Sequence, residues 1–118
     1  MATTLSLLAE LARLRPGWDG YGADPISAPC LANVRAVLAA LPAGTPNPEI
    51  APNPNGTVTL DWATGGCSLS FEIGATRYSA VWESVFEVQT DKGDILPSVP
   101  VFVSTALTIL CQMPWRQL

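Results

Sequence analysis

From Thr57 onward the chain follows a period of two, and no other feature limits its fold as much. Val58, Leu60 and Trp62 alternate with Thr57, Thr59 and Asp61. Leu69, Phe71 and Ile73 alternate with Ser68, Ser70 and Glu72, and Tyr78, Ala80 and Trp82 alternate with Ser79, Val81 and Glu83. Successive side chains of a strand point to opposite faces, so each segment presents one apolar and one polar side. Gly65-Gly66 and Gly74-Ala75 stand between the segments as turns, which makes them an antiparallel meander. A fourth strand is expected from Val85 to Thr90. The turn signal Asp91-Lys92-Gly93-Asp94 ends it, and a short strand at Ile95-Leu96 follows.

Ahead of Thr57 the period is helical. Leu5, Leu7, Leu8, Leu11, Ala12 and Leu14 predict a helix over Thr4 to Leu14, with Thr3 or Thr4 as N-cap and an end before Pro16. Ser27 can cap a second helix with Pro29 in its first turn. Leu31, Val34, Val37, Leu38 and Leu41 form its apolar stripe, and Pro42 ends it. The stretch from Pro42 to Gly56 holds five prolines and three asparagines, so this connector is extended or turn-rich. Ile50 within it can run along a sheet edge. A last helix is expected from about Pro100 to Met113, although its Val, Ile, Phe and Thr content would also suit a strand. The fold class is therefore α+β. Two N-terminal helices, an antiparallel four- or five-stranded meander and a C-terminal helix form a single domain over residues 1–118. The apolar strand face packs on helices and the other face is open.

The run from Pro16 to Pro25 reads as a rigid turn anchored by Trp18, Asp19, Gly20, Tyr21 and Gly22. Glycine supplies positive φ, Asp binds its own backbone two residues on, and proline fixes the exit. Trp18 is expected to plug the core. Trp18, Tyr21 and Trp115 are also residue types enriched at the energetic centres of interfaces.

Chemistry at a reactive centre finds little support. Serine, cysteine and threonine nucleophiles need a general base, and the chain contains no histidine. Its single lysine, Lys92, falls in a predicted turn, and no G-x-S-x-G elbow occurs. The pairs Asp19 with Asp24 and Asp91 with Asp94 sit in turns without the ligand count of a calcium loop. Gly17, Gly20 and Gly22 follow no strand, so they are not a dinucleotide fingerprint. Cys30, Cys67 and Cys111 match neither a disulfide framework nor a zinc site and read as reduced, mostly buried thiols. A chain that is no enzyme and holds no cofactor or metal is expected.

With six basic and ten acidic residues the formal charge is −4, which disfavours direct nucleic-acid binding. The basic residues Arg13, Arg15, Arg35, Arg77, Lys92 and Arg116 are scattered, with no run that could track a phosphate backbone or an anionic membrane. The longest apolar run, Val99 to Met113, carries Pro100 and is shorter than the roughly 20 residues of a membrane span. The N-terminus lacks a basic segment before its first apolar stretch, so a soluble, cytoplasmic protein is expected.

If the apolar strand residues face the helices, Asp61, Glu72, Glu83 and Glu87 point the other way, one per strand, with Arg77 as a single compensating charge. Val81 and Val85 would add apolar contact on that face. It can be a solvated surface that discourages edge-to-edge aggregation. It can equally meet a basic surface on another protein by charge complementarity. A chain that is 48% hydrophobic and only 14% charged has little charge to cover itself, which suits either an apolar surface covered by a partner or a generous core with many alanines.

The residues Gly17-Trp18-Asp19-Gly20-Tyr21-Gly22-Ala23, Pro25-Ile26-Ser27, and Pro52-Asn53-Pro54-Asn55-Gly56 leading into Leu60-Asp61-Trp62 give the chain a resemblance. Over about residues 8–75 it is similar to a loose group of small uncharacterised bacterial and phage proteins with the same turn, helix and strand entry. The resemblance implies a shared fold and a setting in phage or mobile DNA, and it carries over no catalytic residue. Small acidic proteins in such settings are often inhibitors of host defence, such as anti-CRISPR proteins, or antitoxins. The expected function is a non-enzymatic inhibitor that occludes a basic surface of a defence complex. An antitoxin acting by the same physics and a homo-oligomer that buries the open face are the alternatives.

Overall fold

The computed structural model describes residues 2–41, 47–64, 67–84 and 88–95. Two helices, α1 (Ala2–Leu11) and α2 (Ala28–Ala39), precede five strands. These are β1 (Glu49–Pro52), β2 (Val58–Thr64), β3 (Cys67–Ile73), β4 (Arg77–Ser84) and β5 (Val88–Asp94). The strands pair antiparallel in the order β1-β2-β3-β4-β5. The protein is therefore α+β with a five-stranded meander.

Helix α2 begins where Ser27, in extended conformation, accepts a hydrogen bond from the Cys30 N–H on its hydroxyl at 3.2 Å, with Pro29 in the first turn. Its buried side Cys30, Leu31, Val34 and Val37 lies over β2 and β3. Two links fix its position. The Cys30 thiol donates to the Ile73 carbonyl at 3.1 Å, and the Asn33 amide donates to the carbonyls of Gly74 and Ala75 at 2.9 and 3.1 Å. The core joins Leu8 and Leu11 of α1 to this stripe and to the inward residues of the strands, among them Leu60, Leu69, Phe71 and Ile73. Burying each large side chain contributes about 1.5–3 kcal/mol.

The structure departs from the sequence expectations at several points. Helix α1 begins at Ala2, so Thr3 and Thr4 lie inside it rather than capping it. Its end at Leu11 closes with hydrogen bonds from Arg13 N–H to Glu10 and from Leu14 N–H to Leu11. The expected turn at Asp91-Lys92-Gly93-Asp94 is strand: Asp91, Lys92, Gly93 and Asp94 pair with Ala80, Ser79, Tyr78 and Arg77. Cross-strand contacts outweigh local turn preference there. Gly93 leaves room beside the Tyr78 ring, the Tyr78 hydroxyl donates to Asp91 at 2.7 Å, and Arg77 bonds Asp94 at 3.0 Å. The fifth strand is β1, through Ile50 at the sheet edge, and not Ile95, whose N–H donates to the Thr76 carbonyl. The expected helix over Pro100 to Met113 lies outside the described residues, as do Leu96, Cys111 and Trp115.

Candidate functional site

Each strand that sends an apolar residue to the helices sends the next residue to the opposite face. The register aligns three rows across that face. Glu49, Asp61, Ser70, Val81 and Thr90 form one row. Ala51, Thr59, Glu72, Ser79 and Lys92 form the second, and Ala63, Ser68, Glu83 and Val88 the third. Asp61, Glu72, Glu83 and Val81 thus share one face. Glu87 and Val85 lie outside the described residues.

The three carboxylates do not oppose one another. Asp61 faces Ser70, Glu72 faces Ser79, and Glu83 faces Ser68. A small neutral hydroxyl therefore stands where a like charge would be destabilising. Glu72 and Glu83 are offset by four residues along the strands, about 13 Å at roughly 3.3 Å per residue. The acidic face is a staggered array in a bed of serine and threonine.

Glu72 is the most constrained of the three. Its Oε2 accepts from the Thr57 hydroxyl at 2.6 Å and the Asn55 amide at 3.1 Å, and these bonds hold its carboxyl below the usual range, Thr57 first and Asn55 second. Beside it an open concavity is lined by Glu72, Arg77, Tyr78, Ser79 and Lys92. Arg77 is occupied by Asp94, which leaves Lys92 as the cation of this corner without a bond to a carboxylate among the described residues.

Some members of the face were missed in sequence. Glu49 sits directly across from Asp61, so the edge of the sheet carries two adjacent carboxylates. Ile50 packing inward was the available signal, because it turns Glu49 outward. Lys92 was hidden by the turn reading of its segment. Val88, 61% exposed and opposite Glu83, adds an apolar side chain to this face.

The turn at Pro16 to Pro25 forms a closed loop. Gly17 N–H donates to the Ala23 carbonyl at 2.8 Å, and Gly20 N–H to the Gly17 carbonyl at 2.9 Å. Asp19 Oδ1 accepts from the N–H groups of Tyr21 and Ala23 at 2.8 and 3.1 Å; the bond from Tyr21 is the main cause of its lowered pKa. Gly17, Gly20 and Gly22 all have positive φ. Trp18 does not plug the core. It is half-buried, and its indole N–H donates to the Asp24 carbonyl at 2.7 Å, so it braces the loop from within. Tyr21 is 94% exposed.

Cys30 is buried, and burial pushes its thiol pKa up, whereas Cys67 is half-buried and accepts a bond from the Trp82 indole at 2.9 Å. Among the described residues no three His, Cys, Asp or Glu side chains could hold a metal ion together, and no helix is long and apolar enough to cross a membrane.

No protein-family model matches this chain, and no curated protein or solved structure matches it.

Proposed function

We propose that this chain is a non-enzymatic inhibitor that binds another protein, covering a basic surface of its target with the open face of the sheet. The observation that carries this reading is the pairing of Asp61, Glu72 and Glu83 each with a cross-strand serine on that face. The arrangement keeps these three carboxylates from opposing one another, although Glu49 faces Asp61 at the sheet edge, and it leaves hydroxyls beside them to complete hydrogen bonds to incoming Arg or Lys. Half-buried Val81 and exposed Val88 add apolar contact. Chemistry of its own is disfavoured by the absence of histidine. In this proposal the target is a nucleic-acid-handling defence complex, in the manner of anti-CRISPR proteins, a reading supported by the likeness of the turn motif to that of small phage and bacterial proteins. The cytoplasm is the proposed compartment.

The test is affinity capture from a bacterial lysate with the wild type and with an Asp61→Lys, Glu83→Lys variant whose fold is verified by circular dichroism. Glu72 is left intact because of its internal bonds. One complex retained by the wild type and lost by the variant supports the proposal. Equal retention by both sinks it, and a mass that rises with concentration in place of any partner would turn the reading to a homo-oligomer.

A further inference from the structure

The loop from Pro16 to Pro25 holds an aromatic ring away from the protein. Tyr21 is 94% exposed, while the backbone on both sides of it is fixed by the Asp19 carboxylate, the Gly17–Ala23 bond and the Trp18 indole. At Gly17, Gly20 and Gly22 a Cβ would meet nothing within 4 Å, yet φ is +77°, +85° and +116°. Glycine is required there for the shape of the backbone and not for lack of room. A segment that only joined two helices could be shorter and would not need this shape. The conformational entropy of ordering this backbone is met on folding, before any partner arrives.

We propose that residues 16–25 form a pre-shaped insertion loop whose Tyr21 enters an apolar pocket with a basic rim on a protein partner. A rigid ring with a hydroxyl at its tip is the side chain that gains most from such a pocket, since it buries a large area at small entropic cost. The basic rim follows from charge: the ionised Asp19 and the exposed Asp24 stand on either side of Tyr21, on a chain of net charge −4. The loop is also continuous with the open sheet face. Asp24 N–H donates to the Pro54 carbonyl at 2.7 Å, and the adjacent Asn55 donates to Glu72 at 3.1 Å. This inference rests on reading the chain as a protein-binding module, and it adds a contact that the sheet face does not supply.

The experiment places the photo-crosslinking residue p-benzoylphenylalanine at Tyr21 and, as a control, at exposed Ala36 of α2. The protein that forms an adduct in a bacterial lysate is identified and purified. Its affinity is then measured by calorimetry for the wild type, Tyr21→Ala, Tyr21→Phe and the Asp61→Lys, Glu83→Lys variant. The expected result is an adduct at Tyr21 and not at Ala36, with Tyr21→Ala weakening binding by roughly 30-fold or more. Tyr21→Phe should weaken it less, since it keeps the ring. No adduct at Tyr21, or wild-type affinity in a Tyr21→Ala protein with an unchanged urea midpoint, overturns the proposal. If Tyr21→Ala loses affinity while the charge-reversed variant does not, the insertion loop stands and the sheet-face reading falls.

Discussion

The backbone N–H of Asp24 donates to the carbonyl of Pro54 at 2.7 Å, and this bond joins the two described segments richest in glycine and proline. Beside it Gly56, at φ +87°, lies so close to the chain that a Cβ would come within 3.2 Å of the Pro25 carbonyl oxygen. The helix-to-helix loop and the β1–β2 turn therefore shape each other, and the second of them also holds Glu72 through Asn55 and Thr57.

Gly56→Ala should then cost more than an alanine elsewhere in these turns. It adds a backbone contact to the strain of positive φ, for a loss of roughly 2–3 kcal/mol. Gly20→Ala has only the φ penalty, about 1 kcal/mol, since nothing lies where its Cβ would be. Urea midpoints at constant slope check the order, and equal losses would contradict the described packing.

Trp18→Phe removes the indole bond to the Asp24 carbonyl and should destabilise by about 0.5–1 kcal/mol, because water can partly replace a bond made near the surface. Tyr21→Ala should leave stability within about 0.5 kcal/mol of wild type. The contrast, read in the same denaturation series, separates the aromatic that braces the loop from the one that it displays.

The carboxyl of Glu72 titrates below its ordinary value of 4.5 because Thr57 and Asn55 bond its charged form. A depressed folded-state pKa contributes stability that is present above 4.5 and is lost as pH falls through the folded value. The difference in urea midpoint between wild type and Glu72→Gln should close over that fall. In Thr57→Ala the Glu72 titration, followed by carboxyl-carbon NMR, should move back toward 4.5.

At the other end of the pH range, Tyr78 titrates above its ordinary value of 10.0, first because its hydroxyl bonds Asp91 and then through burial and the Asp91 charge. A raised folded-state pKa gives stability that is complete below 10.0 and is lost as pH rises through the folded value. Asp91→Asn, in a Tyr21→Phe background that leaves one tyrosine signal, should lower the tyrosinate transition toward 10.0. An unchanged transition would mean that residues 91–94 turn away from β4.

Cys30 should resist iodoacetamide in the native protein, because its thiol is 0% exposed and burial raises its pKa. Its alkylation rate, followed by peptide mass spectrometry across urea concentrations, should track global unfolding, and labelling in the absence of denaturant would contradict its place under α2.

Much of the architecture was legible because the controlling physics is local. Alternation of side chains along β2, β3 and β4 determined which face each residue takes, and Ser27 with Pro29 marked the start of α2. The same alternation put Asp61, Glu72 and Glu83 on one side. Other features depend on which strand lies alongside, and local preference pointed the wrong way for them. Asp91 to Asp94 carry turn chemistry in isolation but complete a strand because Arg77 and Tyr78 are there to pair with them. Trp18 has the composition of a core plug but finds a hydrogen-bond acceptor in its own loop. The amino-acid sequence by itself determined the period, the faces and the places where the chain must turn, since these follow from side-chain spacing and backbone preference. Only the tertiary structure decided the register that sets a serine opposite Asp61, Glu72 and Glu83 and Glu49 opposite Asp61, and the contact of Asp24 with Pro54. The first depends on the length and geometry of the turns between neighbouring strands, and the second on two loops well separated in sequence; side-chain spacing alone encodes neither.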